Sequence, residues 1–209
     1  MFSLQTIFGK GDKFYGLLEA SAESACVSAS ALIELLSSPE TQQSLEKFKQ
    51  VRRRDKDLFA QISGELVNTF VTVLDREDIE ALNSALYKIP KVVEKFAERH
   101  TLALSRIGDV DYISRAKMLE QACQVLQKLV GELRKGMDLD EVKKLNDQLQ
   151  TIEAEADRQI LELYRDVVVT ETDPIRYLVK KDLFEILEKA IDRCRDAGNV
   201  VYHIALKNS

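Results

Sequence analysis

Tryptophan is absent from this 209-residue chain, and proline occurs three times and glycine eight. With so few breakers and long segments whose apolar residues recur every three or four positions, the chain reads as all-helical. Its three cysteines, Cys26, Cys123 and Cys194, are widely spaced and make neither a CxxC pair nor a zinc pattern. That pattern reads as reduced thiols in a cytoplasmic protein. Each lies on or beside an apolar helical stripe, where a thiol packs as a small hydrophobe. No apolar run is long enough to span a bilayer. The start, MFSLQTIFGKGDKF, lacks the charged lead and apolar block of a signal peptide. Nor is there an excess of positive charge: net charge is -5 and the pI about 5.3, against wholesale nucleic-acid binding.

What is present is 45% hydrophobic and 31% charged, enough for one domain or two small ones with an ample core. Six helices are expected, short, long, long, twice over. After an apolar lead (Phe2, Leu4, Ile7, Phe8) closed by Gly9 and Gly11, the first begins near Asp12 and ends at Ser37. Its centre, ASAESACVSASA, suits close helix packing. Ser38 as cap and Pro39 at the first position open a second helix running to Val73. Asp75 caps a third, to about His100, with Pro90 expected to kink it. His100 and His203 then fall near helix C-termini, where the dipole favours them. Residues 105–112 form a linker. The fourth helix spans Ile113 to Arg134 and stops at Lys135-Gly136. Asp138 caps a fifth reaching Val168, and Asp173-Pro174 opens the sixth.

The chemistry concentrates in two stretches. IEAEADR places Glu153 and Asp157 four residues apart, and ILEKAIDRCRDAGNVV does the same with Glu188 and Asp192. Carboxylates so spaced share one helix face and repel, weakening an isolated helix by roughly 0.2–0.5 kcal/mol. Either flanking cations (Arg158, Lys189, Arg193) offset the repulsion, or a metal ion sits between the two helices, since carboxylate oxygens are hard ligands. The halves also look like a repeat. Moving back 101 residues turns Ile152, Ile160, Leu163, Leu183 and Leu187 into Val51, Phe59, Ile62, Leu82 and Leu86, apolar for apolar. The loops do not follow, as Asp75 and Asp173 differ by 98. The same shift turns the four acids into Arg52, Lys56, Tyr87 and Lys91. The second half can therefore gather carboxylates round a divalent or ferric ion. The first cannot; its basic run, with Arg53 alongside, either holds an anion or acidic partner, or pairs with Asp55 and Asp57.

Four segments carry a family resemblance: KFYGLLE (Lys13 to Glu19), LDREDIEAL (Leu74 to Leu82), the Glu-x-x-x-Asp of the fifth helix and LEKAIDRCRDAGNVV of the sixth. Through them the chain resembles the PhoU-like family, in its stand-alone branch associated with Pit-type low-affinity phosphate transporters. The resemblance implies two three-helix bundles, residues 1–104 and 105–209, related by a pseudo-twofold axis. It also implies one pair of metal-binding acid motifs per bundle, and control of phosphate uptake, not catalysis. The second-bundle motif matches at Glu153, Asp157, Glu188 and Asp192, with Asp196 one turn on; the first-bundle motif is replaced by Arg52, Lys56, Tyr87 and Lys91.

The function expected is a non-enzymatic regulator or accessory of phosphate transport. It would dock on a transporter or signalling protein at the membrane without inserting into it, and the long helices are compatible with a homodimer. One alternative is a structural helical adaptor without metal. A di-metal carboxylate enzyme fits less well, because such sites draw on Glu-x-x-His pairs and neither histidine is near an acid motif.

Overall fold

Local signals set several of the helix ends, although Asp75, at the N-cap of the third helix, makes no side-chain cap bond. In the computed structural model, which describes the backbone of residues 4–39, 44–108 and 110–209 and side chains from residue 12 onward within those ranges, there are six helices. They are α1 (Leu4–Ser37), α2 (Glu46–Asn68), α3 (Arg76–Ile107), α4 (Ile113–Lys135), α5 (Leu139–Thr170) and α6 (Pro174–Asn208), with no strand among the described residues. The all-α, six-helix expectation holds. Asp138 caps α5, accepting from the N–H groups of Asp140 (3.0 Å) and Glu141 (3.1 Å). Asp173 caps α6 through Ile175 N–H at 2.8 Å, with Pro174 at the first helical position. Gly136 ends α4 in the left-handed region, φ 105°, a conformation that suits glycine.

Four boundaries differ from expectation. The α1 backbone is already helical at Leu4 and continues through Gly9 and Gly11. A helical glycine costs about 1 kcal/mol, which tertiary packing readily offsets. The packing of Phe2, Leu4, Ile7 and Phe8 lies outside the described side chains. Ser38 closes α1 instead of opening α2: its N–H donates to Leu35 O and its Oγ to Glu34 O. α2 starts at Glu46 and stops at Asn68, where Arg76 donates to the carbonyls of Leu66 and Thr69, so short, long, long describes the second half alone. α3 passes unbroken through Pro90 and on to Ile107, leaving residues 108–112 as the linker. His100 therefore sits two turns short of the helix end, buried, stacked on Phe96 and edge-on to Tyr112. Burial lowers its pKa and keeps it neutral, so the dipole account fails for it.

Helices α1, α2 and α3 pack on one another, as do α4, α5 and α6; the triples meet where α3 lies on α6 and α1 on α4. One buried apolar cluster runs through all six. Between α3 and α6 the offset of 101 seen in sequence is also a repeat of burial, whereas the α2–α5 pairs Val51/Ile152, Phe59/Ile160 and Ile62/Leu163 are each buried on one side only. In α3, Leu82, Asn83, Leu86, Ile89, Pro90, Val93, Phe96, Ala97 and His100 are buried; so are the residues 101 further on in α6, Leu183, Phe184, Leu187, Ala190, Ile191, Cys194, Ala197, Gly198 and Val201. The small residues Ala22, Ala25 and Ala29 of α1 are fully buried, matched by Cys123, Leu126 and Val130 of α4. Antiparallel α3 and α6 are tied at both ends by equivalent pairs: Arg106 to Asp173 at 3.5 Å, and Lys207 to Asp75 at 3.9 Å and to Asp78 at 2.7 Å.

Candidate metal centre

The capped hairpin of α5 and α6 brings the acids together. Gly198 sets how close the helices come: a Cβ there would lie 2.4 Å from Leu149 Cδ1 and 3.0 Å from Asn146 Oδ1. Beside it, Asn199 Oδ1 accepts from Asn146 Nδ2 (3.2 Å) and Gln150 Nε2 (2.9 Å), fixing the register. About two turns back along α6, toward its N-terminus, lies the candidate centre. Glu153, Asp157 and Asp192, each half-buried, offer carboxylate oxygens within 4.8 Å of one another. An ion holding oxygens at roughly 2.0–2.6 Å requires donors no more than about 5 Å apart, so this triad fits a hard cation.

Electrostatics agree with the geometry. Burial first, then neighbouring carboxylates, raises Glu188 above the usual carboxylate range. Burial likewise raises Glu153 and Asp192, against a lowering pull from Arg195. Each is held where its charge is poorly compensated, and a cation would relieve that. Glu188 borders the triad; Asp196 turns to Arg193 (2.9 Å) and Arg195 (3.2 Å). The compensating cation within the chain is thus Arg195, which sequence reasoning missed, at 3.0 Å from Glu153 and 3.8 Å from Asp192. Of the flanking cations considered, Arg158 binds Glu155, Arg193 binds Asp196 and Lys189 faces α3.

The first half carries the inverse of this arrangement. Arg52 is buried, paired with the equally buried Asp55 and 3.3 Å from Glu94 Oε2, with its guanidinium 4.6 Å over the Tyr87 ring. Burial pushes Asp55 up to about 7, against the pull of Arg52. Of the basic residues singled out, Arg52 is spent internally, while Arg53, Lys56 and Lys91 are exposed. Residue for residue at the offset of 101, Glu153 answers to Arg52, Asp157 to Lys56, Asp192 to Lys91, Asp196 to Lys95 and Arg195 to Glu94. Five charges are reversed, and the α5–α6 bridge reappears between α2 and α3 with its signs exchanged.

Two triples of antiparallel helices with this internal symmetry are the PhoU-like fold. Two solved structures from Shewanella oneidensis MR-1, one described as a PhoU-like phosphate regulatory protein and one as a PhoU-like protein, superpose with TM-scores of 0.79 and 0.80. Each is 17% identical and covers 93% of this chain and 99% of its own. In sequence, the chain is similar to the UPF0111 protein YkaA of Bacillus subtilis (strain 168), 23% identical over 145 residues, 69% of this chain and 70% of that protein. No family model matches it. None of the six helices is long and apolar enough to cross a membrane, among the described residues.

Proposed function

We propose that the protein is a non-enzymatic regulator of phosphate homeostasis that docks on a transporter or signalling partner at the membrane, with a divalent or ferric cation held by Glu153, Asp157 and Asp192. Glu188 borders these acids, whereas Asp196 is paired with Arg193 and Arg195 and stands outside the triad. The observation that carries the metal reading is the triad of half-buried oxygens within 4.8 Å on two interlocked helices. The phosphate link draws on likeness to PhoU-like proteins, one of them described as a phosphate regulator. The site contains no nucleophile–base pair, and its acids face one another on the α5–α6 hairpin, an arrangement suited to holding an ion. A cytoplasmic setting agrees with three unbridged cysteines. The test is deletion and overproduction with phosphate uptake measured across phosphate levels, beside elemental analysis of protein purified without chelator. Altered uptake and one bound cation per chain are expected; unchanged uptake at every phosphate level contradicts the regulatory role.

Arg195 favours a second reading, a helical adaptor without metal, because its guanidinium already reaches Glu153, Asp192 and Asp196. The readings part on Asp192→Asn. With a metal, this change lowers metal content and thermal stability together; without one, it relieves repulsion and raises stability slightly.

A further inference from the structure

Between α3 and α6, where the two halves meet, lies a cleft of about 450 Å³. Lys88, Lys91 and Lys95 line it from α3, Lys189 and Arg193 from α6, and Val92 and Ile186 supply apolar wall. Two acids, Glu94 and Glu98, stand among the five cations, and Glu94 is already engaged by Arg52 at 3.3 Å. Lys88, Lys91, Lys95 and Lys189 make no ion pair among the described residues. In a chain of net charge -5, cations gathered this way repel one another in a semi-enclosed space. Lys91 and Lys95 hold the positions that Asp192 and Asp196 hold in the acidic half, so the reversal of charge extends from the interior to the surface.

We propose that this cleft binds a linear polyanion of the condensed-phosphate class. Its size is that of a small-ligand site, within roughly 300–1,000 Å³, and favours a small molecule over an acidic protein surface. Lys88 to Lys95 extend along about 10 Å of helix. One tetrahedral anion reaches one end of that row, whereas a chain of phosphates presents oxygens to successive ammonium groups. Lysine suits the task as a flexible point charge with three donors, while Arg193, already paired with Asp196 at 2.9 Å, adds its charge at the far wall. The inference goes beyond the regulatory reading and requires neither that reading nor the metal.

The test is calorimetric titration of the full chain, exhaustively dialysed free of metal, with tripolyphosphate, orthophosphate, sulfate and a short poly-glutamate peptide at low and high salt. Tripolyphosphate binds at least about tenfold tighter than orthophosphate or sulfate, and its binding weakens with salt. Lys91→Gln and Lys189→Gln each weaken it roughly tenfold. These lysines are exposed, so the variants keep the wild-type helical signal. Lys128→Gln, an exposed lysine on α4 outside the cleft, leaves binding unchanged. Four results overturn the proposal: no binding; equal binding in wild type and cleft variants; loss in Asp192→Asn instead, which traces the effect to residual metal; or preference for poly-glutamate, which makes the cleft a peptide-docking surface.

Discussion

Arg52 of α2 meets Glu94 of α3 at 3.3 Å, and 101 residues on, Glu153 of α5 meets Arg195 of α6 at 3.0 Å with the charges exchanged. Around the first pair the side chains are buried, and the cation belongs to the chain: Arg52 is 6% exposed and Asp55 1%. Around the second pair they are half-exposed, and three carboxylates share a space that Arg195 only partly fills. One helical plan thus yields a hairpin closed by its own guanidinium and, on the reading proposed above, a hairpin open to an outside cation. The difference is largely one of electrostatics, because the apolar residues that α3 and α6 contribute to the two hairpins are buried in the same register.

The sharpest way to break this comparison is to remove the internal cation. Arg52→Leu strands the Asp55 carboxylate in the core and should cost about 3–5 kcal/mol in urea unfolding, with much of it restored in the Arg52→Leu/Asp55→Asn double variant. Arg195→Leu, at the half-exposed counterpart, should cost no more than about 1 kcal/mol. Equal losses would mean the halves do not differ as described. Next in size is the cation itself. At one hundred times its dissociation constant, a bound metal should stabilise the wild type by about 2.7 kcal/mol, and Asp192→Asn should lose most of that gain while being slightly more stable than wild type in metal-free buffer.

A smaller effect probes the helix approach. At the place where α6 has Gly198, α3 has the buried Ala97. Gly198→Ala must displace the buried Leu149 and should cost about 1–3 kcal/mol and weaken metal binding. Ala97→Gly should cost about 1 kcal/mol through helix propensity and leave metal binding unchanged.

The smallest effect is on pH. Glu153, Glu188 and Asp192 have folded pKa values raised above their unfolded ones. The folded protein holds the extra protons, so their contribution is full below the unfolded values, about pH 4, and is lost as pH rises through the folded ones. Asp55, pushed up to about 7, has the same sign. With His100, whose lowered pKa acts in the opposite sense over this range, replaced by Gln, melting of metal-free protein should therefore occur at lower temperature near pH 7.5 than near pH 5.5. Saturating metal, which requires ionised ligands, should cancel the α5–α6 share and leave that of Asp55. A melting temperature that climbs with pH in the metal-free His100→Gln variant would contradict these signs.

Much of this plan was legible in the residues. Asp138, Asp173-Pro174 and Gly136 act locally, and each does in the fold what its chemistry dictates. The 101-residue offset was visible in apolar positions and is carried by burial between α3 and α6, but not between α2 and α5, where Ile152 and Leu163 are only partly buried. Less legible were features that depend on a partner distant in sequence. Arg76 reaches back over the carbonyls ending α2, which no local signal at Asn68 announces. His100 lies mid-helix because α3 continues to Ile107 on Tyr112-side packing that the 105–112 stretch does not display as a pattern. The pairing of Arg195 with Glu153 crosses two helices, yet one signal was available: the same shift that maps Glu153 to Arg52 maps Arg195 to Glu94. The buried state of Arg52 was hidden by its place in an RRR run that reads as a solvated face.

The central claim, that the α5–α6 hairpin accepts a cation where the α2–α3 hairpin supplies its own, is tested most directly by anomalous scattering from crystals of protein purified without chelator, paired with elemental analysis. One ion per chain bound by Glu153, Asp157 and Asp192, with no anomalous density beside Arg52, is the predicted result. A metal-free α5–α6 hairpin with Arg195 spanning the three acids, or an ion beside Arg52 and Lys91, would contradict it.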